Sequence, residues 1–436
     1  MKAILSIIIF SGAYVLIVTE KVNKTIVAVL GASAVLFLKL ITFEQAINEV
    51  DFNVIFLLIG MMSSVYILSK TGFFEFIAVS VARFAKGDPK TITILLLIVT
   101  AVLSAMLDNV TTIIMIVPIT ILIMQLLEVN PVPVIIMEAI ASNIGGTATL
   151  IGDPPNILIG SQAGLSFNDF LVHLGPIVLL IFVIFLLSVL VWFRNSFTVD
   201  EKVKKRVTES VPALAITDPR NMKRSLIILG LMFIGFFSHS AIGVEPGIIA
   251  LAGGMLMLVV CKCESEETLM RVEWGVIFFF IGMFMMIAAL DVNGVISTIG
   301  EKILHFSGQN LFLVCIIVLW SSAIFSAVLD NIPFVIVMIP LIRHFVVYFS
   351  KNAGIIDPSI IHLQVEQPLW WALALGACLG GNGTLIGASA NIVMSRISER
   401  NGYHISFSKF FKYGSVFTVQ AMIICTLYIW LRYFHA

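Results

Sequence analysis

Apolar runs of 17 or more residues recur along the whole of this 436-residue chain, and that pattern decides its solvent. Each run can cross about 30 Å of hydrocarbon at about 1.5 Å per helical residue. Residues 3–19, 24–40, 53–69, 132–164, 170–193, 225–240, 246–262, 273–290, 368–395 and 409–433 read as membrane spans. Two further apolar pairs, 91–128 and 311–349, are each interrupted midway by Asp-Asn. Stretches 71–86 and 291–304 mix charge with apolar residues, the pattern of helices lying in the interface. Charged residues make up 12% of the chain, about half the share usual in soluble domains, roughly 25%. Lys2 and the run to Thr19 resemble a signal peptide in outline, but they carry no clear small-residue cleavage site and are read as a span.

Self-similarity organises these runs. Asp51-Phe-Asn-Val-Ile-Phe-Leu-Leu-Ile-Gly60 aligns with Glu273-Trp-Gly-Val-Ile-Phe-Phe-Phe-Ile-Gly282. Asp108-Asn109 followed by Pro118 aligns with Asp330-Asn331 followed by Pro340 at the same spacing along the chain. Thr149-Leu-Ile-Gly152 with Asn156 aligns with Thr384-Leu-Ile-Gly387 with Asn391 at a slightly wider spacing, the difference absorbed by a longer loop at 350–366. Chance likeness between apolar runs is common, but matched Asp, Asn, Gly and Pro at constant spacing are not. The chain therefore divides into a first repeat (1–193), a polar linker (194–224) taken as cytoplasmic, and a second repeat (225–436).

If each Asp-Asn pair marks a re-entrant hairpin, each repeat crosses the membrane five times and the halves are inverted. A cytoplasmic linker then places 20 of the 26 Lys and Arg residues inside, as the positive-inside rule requires. Hairpins that crossed fully would make six crossings per half and parallel repeats, an arrangement that charge favours less. The expected fold is an all-α polytopic membrane protein of two inverted repeats, each with a re-entrant hairpin and a broken helix.

A charge at the bilayer centre costs at least ~2.5–3.5 kcal/mol on insertion scales. Asp108 and Asp330 follow long apolar runs and so lie deep, where the chain turns. Capping the next helix, worth ~1 kcal/mol, would be served as well by Ser or Asn. Asp in both halves points to a bound cation or a proton that compensates the charge. The interrupted helices supply the rest. Ser142-Asn143-Ile-Gly145-Gly146-Thr147-Ala-Thr149-Leu-Ile-Gly152-Asp153-Pro154-Pro155-Asn156 lies within one span, and Gly380-Gly381-Asn382-Gly383-Thr384-Leu-Ile-Gly387-Ala-Ser389-Ala-Asn391 within another. Paired glycines weaken a helix, and Pro154-Pro155 stops one and suits the first turn of the next. Unwound carbonyls at such breaks hold cations, and the following helix N-terminus favours an anion. A glycine-packed helix crossing would explain the glycines, but not Asp153, Asn156, Asn382 and Asn391.

The candidate binding residues are thus Asp108, Asn109 and Thr111 of the first hairpin and Asn143, Gly145, Gly146, Thr149, Asp153 and Asn156 of the first break. Their counterparts are Asp330 and Asn331 of the second hairpin and Gly381, Asn382, Thr384, Ser389 and Asn391 of the second break. Asp108, Asn109, Asp330 and Asn331 are the Na+ candidates, Asp108/Asn109 with the first break forming one site and Asp330/Asn331 with the second break its partner. Glu138 faces either the same cavity or the interface, His173 reads as interfacial, and Arg343 and His344 as exposed. The five cysteines lack zinc-ligand spacing and read as small hydrophobes. No Walker motif, no GxGxxG opening a soluble βαβ unit and no His/Cys cluster appears, so no enzyme, cofactor or nucleic-acid role is expected.

At these residues the chain resembles a known family. LSAMLDNVTTIIMIVPITI (103–121), SNIGGTATLIGDPPN (142–156), RVEWGVIFFF (271–280), VLDNIPFVIVMIP (328–340) and ACLGGNGTLIGASANIV (377–393) are similar to the ArsB/NhaD permeases of the ion transporter superfamily, which share a citrate-transporter-like domain. The likeness is strongest to the prokaryotic homologues of melanosomal P protein. The resemblance implies an elevator-type ion transporter fold, commonly a homodimer, in a cell membrane. In the related sodium symporters, Ser-Asn-Thr hairpin tips bind Na+ and a carboxylate; here the tips are Asp108-Asn109-Val110 and Asp330-Asn331-Ile332, a departure that favours tighter cation or proton coupling over dicarboxylate specificity. The expectation is a secondary transporter coupling Na+ or H+ to a small, anionic substrate. Na+/H+ antiport, arsenite efflux and an anion channel are the alternatives.

Overall fold

The computed structural model describes residues 1–435 except 20, 21, 194–198, 201, 202, 205–207, 353 and 356. Among the described residues there are helices and turns but no strands. Nine helices among the described residues are long and apolar enough to cross a membrane, and four shorter apolar ones accompany them: Lys2–Ile17, Lys24–Phe37, Val132–Thr147 and Pro246–Cys261. The chain is a polytopic membrane protein. Large apolar side chains such as Leu179, Val191, Ile234, Val259 and Val347 point outward along these helices, as a lipid solvent allows.

The expected helices form close to their predicted bounds, with local chemistry setting their ends. Asp88 caps Pro89–Met106 through Thr91 N, and Asn310 caps Leu311–Val328 through Leu313 N. Gly72 and Gly294, repeat mates, adopt φ of 79° and 76°, which an L side chain resists, and turn the chain into the amphipathic helices Phe73–Phe84 and Val295–Phe306. Part of the segment read as a linker lies outside the described residues. The rest holds a short turn at Pro212–Ala215, and the next helix begins there too, at Pro219, because Asp218 caps it and proline suits its first position.

The repeats interlock rather than sitting side by side. The second helix of each repeat packs on the fourth-position helix of the other: Pro246–Cys261 lies along Phe52–Ser69, and Lys24–Phe37 along Trp274–Val292. Small residues permit this approach. A Cβ on Gly60 would lie 2.2 Å from the Ala250 carbonyl, and one on its mate Gly282 would lie 2.6 Å from the carbonyl carbon of Ala28. Polar contacts repeat the exchange: Gly247 N donates to Asn53 Oδ1 (2.6 Å), and Thr25 Oγ1 donates to Gly275 O (2.7 Å).

The two Asp-Asn interruptions are helical hairpins, Pro89–Met106 with Asn109–Leu126 and Leu311–Val328 with Asn331–Asn352. Every arm has 18 residues or more, the length of a full crossing, so arm length is compatible with re-entry and with crossing alike. The predicted breaks are present. Val132–Thr147 stops and Pro154–Ala163 resumes; Gln367–Gly380 runs into a 3-10 turn at Gly381–Gly383, and Ser389–Arg400 resumes. The first arm of each hairpin packs on the first half of the broken helix in its own repeat. Each resumed half-helix packs on the return arm of the opposite repeat's hairpin. Tips and breaks consequently meet at the centre.

Candidate functional site

Matching bonds build both breaks. Asn156 Nδ2 donates to the carbonyls of Thr147 (3.1 Å) and Thr149 (2.9 Å), with Gly146 O at 3.4 Å. Asn391 Nδ2 donates to those of Gly381 (2.9 Å) and Thr384 (3.0 Å). These amides satisfy carbonyls that the interrupted helix leaves without intrahelical partners. Thr149 Oγ1 reaches back to Ala105 O (2.6 Å), and Thr384 Oγ1 makes the same bond to Ala327 O. Ser104 donates to Ser142 O (2.7 Å) as Ser326 does to Ala377 O (2.6 Å). Each hairpin tip is thereby stitched to its own break. The glycines serve close approach: a Cβ on Gly145 would fall 2.1 Å from Ala101 O, one on Gly146 2.4 Å from Gly152 O, and one on Gly381 3.0 Å from Gly387 O.

A chain of carboxamides then joins the halves. Asn109 Nδ2 donates to Asn143 Oδ1 (3.2 Å), and Asn143 Nδ2 donates to both Asn382 Oδ1 (2.9 Å) and Asn391 Oδ1 (3.0 Å). Asn331, from the second tip, reaches Asp153 Oδ1 (3.5 Å) in the first break rather than the break of its own repeat. Asn109 and Asn331 thus both reach the first break, while Asp330 stays with Ser389 of the second. Asn109, Asn143, Asp153, Asn156, Asn331, Asn382 and Asn391 are all buried. Within this cluster Asn109 Oδ1 and Asp153 Oδ2 are fully buried acceptors without a hydrogen-bond donor among the described residues. Such an oxygen costs roughly 1–3 kcal/mol, more if charged, unless something compensates it. One amide oxygen and one carboxylate oxygen are acceptors that a cation could compensate. These oxygen donors fit a hard ion such as Na+. Among the described residues no cluster of three His, Cys, Asp or Glu side chains could hold a transition metal.

Asp108 and Asp330 differ. Asp108, buried, caps the return helix by accepting from Thr111 N (2.8 Å). Asp330 forms an ion pair with Lys24 Nζ (2.5 Å) and accepts from Ser389 Oγ (3.2 Å). Lys24 opens an apolar helix just after its Asn23 cap, so the sequence shows an interfacial lysine; only the packing supplies its partner. Ser104 and Ser326 are further site residues that sequence reasoning missed, although the repeat alignment through Asp108 and Asp330 already pairs them. Glu138 is fully buried, accepts from Thr120 Oγ1 (2.6 Å), and leaves Oε2 unpartnered. His173 is half-buried against Trp371 and bonds Tyr433 (2.7 Å), while Arg343 grips Gln162 (2.8 Å).

Two cavities flank the centre. One, of about 420 Å³, is lined by Asn23, Lys24, Glu273, Asp330, Ser389 and Arg396 among others. The other, of about 320 Å³, is lined by Asn53, Ser161, His239, Glu245 and Pro246 among others. Their linings correspond by repeat, Val22 with Val244, Lys24 with Pro246, Ile157 with Ile392 and Ser161 with Arg396.

Crossed apolar helices enclosing interrupted helices, buried polar tips and paired cavities define a membrane transporter. The chain belongs to the citrate transporter family, whose model matches residues 14–376. It is 41% identical to an uncharacterized transporter of Mycobacterium bovis, over 99% of both chains. It is 38% identical to a 46 kDa membrane protein of Mycobacterium leprae over 99% of both. It is also 33% identical to the P protein of Sus scrofa, covering 97% of this chain and 58% of that one.

Proposed function

We propose that this protein is a secondary active transporter that couples Na+ or H+ to the movement of a small anion by alternating access. The observation that carries the reading is the pair of orphaned acceptors, Asn109 Oδ1 and Asp153 Oδ2, buried where a hairpin tip meets an interrupted helix. A cation there compensates both. The anion binds next to it, in the cavity where Arg396 and the start of Ser389–Arg400 present positive charge. That half-helix is preceded by Ala388, with no side chain capping its N–H groups. The family's description names citrate, which makes small carboxylates the first class to test.

In this reading the hairpins are re-entrant and the repeats inverted, so the two cavities open on opposite sides of a cell membrane. The reciprocal packing of Gly60 on Ala250 and Gly282 on Ala28 supports that exchange. The hairpins and broken helices move together against the remaining helices, in the manner of an elevator, within a homodimer. The test is uptake of labelled carboxylates into proteoliposomes under imposed Na+ or pH gradients. Uptake driven by one gradient and lost in Asp153→Asn supports the reading, and gradient-independent uptake in both forms overturns it.

Na+/H+ antiport is the second reading, favoured by the unpartnered oxygens of Asp153 and Glu138, which suit a carboxyl that alternates between proton and sodium. A Na+ pulse that changes luminal pH with no anion added selects it.

A further inference from the structure

The hairpin tips match in sequence but not in the charge that meets them. Asp330 is held by Lys24 Nζ at 2.5 Å and by Ser389 Oγ at 3.2 Å, and the same Nζ lies 3.4 Å from Ser389 Oγ and 5.3 Å from the centre of the Phe279 ring. The ammonium therefore has a carboxylate, a hydroxyl and an aromatic face around it, the surroundings that a bound cation prefers. In the repeat alignment the mate of Lys24 is Pro246 and the mate of Ser389 is Pro154. Proline offers neither charge nor N–H donor. At the first tip, accordingly, no ion pair to Asp108 forms among the described residues, and Asp108 caps its own helix.

Lys24, Asp330 and Ser389 come from three separate elements: the start of Lys24–Phe37, the tip, and the first turn of Ser389–Arg400. Lys24–Phe37 packs chiefly on Trp274–Val292. The Asp330 carboxylate is 11% exposed and the lysine side chain 32%, so the pair sits at the wall of the 420 Å³ cavity rather than in bulk water. Glu273 and Arg396 are the other charged groups lining that cavity.

We propose that Lys24 is a resident counter-ion: its ammonium permanently compensates the Asp330 carboxylate, so the second tip takes up no exchangeable cation of its own. The exchangeable cation is then confined to the acceptors Asn109 Oδ1 and Asp153 Oδ2. A tethered ammonium forgoes the entropy that capturing a free ion would cost. The inference rests on the proposed coupling for its meaning in transport, but its test does not.

Equilibrium binding of radioactive sodium to the purified full chain, at mildly alkaline pH, counts the exchangeable sites. Lys24→Met is expected to bind one more sodium ion per chain than the wild type. Lys24→Arg, which keeps the charge, should match the wild-type count. Lys24→Met combined with Asp330→Asn should return to that count, since the carboxylate needing compensation is gone. Equal counts in the wild type and a monodisperse Lys24→Met protein would overturn the proposal. A gain that persists under both Lys24→Met and Asp330→Asn together would overturn it as well. Absence of gradient-driven transport in the wild type, with the extra ion still present in Lys24→Met, would instead remove the coupled-transport reading and leave the resident counter-ion standing.

Discussion

Asn143 and Asn391 meet through a 3.0 Å hydrogen bond that ties the interrupted helix of one repeat to that of the other. Asn143 also receives Asn109 from a hairpin tip, so one buried carboxamide links three of the four elements that converge at the centre.

Replacing Asn143 with alanine leaves the Asn109 amide and the Asn382 and Asn391 carbonyls without this partner. At roughly 1–3 kcal/mol for each buried group left unpaired, the loss is large against ordinary stability. The expected result is a melting midpoint lowered by several degrees in detergent and transport reduced by an order of magnitude or more. Asn143→Gln, which keeps the carboxamide, should recover part of the stability.

Gly60→Ala and Gly282→Ala should destabilise in parallel, because each Cβ would collide with backbone of the facing helix. Overpacking of this kind costs typically ~1–3 kcal/mol. Gly12→Ala and Gly230→Ala, with nothing within 4 Å of the new Cβ, should be neutral or gain up to ~1 kcal/mol from helix propensity. Thermal melts of the four variants side by side test the contrast.

On the proposed coupling, Na+ should raise the melting temperature of the wild type, and Asp153→Asn should abolish that rise while leaving the protein folded. A ligand at about a hundred times its dissociation constant adds ~2.7 kcal/mol to the native state, a shift readily seen as a raised melting temperature. Asp108→Asn keeps an acceptor for Thr111 N and should retain its helix cap, so a lost sodium shift there would show that its charge matters beyond capping. An unchanged shift in both variants would separate these carboxylates from cation binding.

Away from the membrane-spanning helices, Glu267 is held below the usual carboxylate range by the Lys70 ammonium at 2.5 Å and by the Tyr66 hydroxyl. A depressed acidic group contributes stability above its unfolded pKa and loses that contribution as pH falls through its folded pKa. Glu267→Gln should therefore melt slightly below the wild type at neutral pH. The two curves should merge once acid protonates the carboxylate. The pair is exposed, so the gap should shrink in high salt.

Much of this site is legible in the chain itself. The internal repeat already pairs Asp108 with Asp330 and Asn156 with Asn391, and the two asparagines make matching bonds. Helix breaks are readable too, since paired glycines and Pro154-Pro155 act locally on backbone geometry. Partners across the molecule are not. Nothing near Lys24 announces Asp330, far along the chain in the other repeat, and nothing near Asn331 says that its amide turns to Asp153.

The sequence by itself determined the solvent, the duplication, the helix interruptions and the residue types available at each turn, because these follow from apolar run length, periodic likeness and local backbone preference. Only the tertiary structure decided that two matching tips carry unlike charge environments. Each repeat reaches across to complete the other, and the side chain that meets a carboxylate there is chosen by helix packing rather than by any neighbour along the chain.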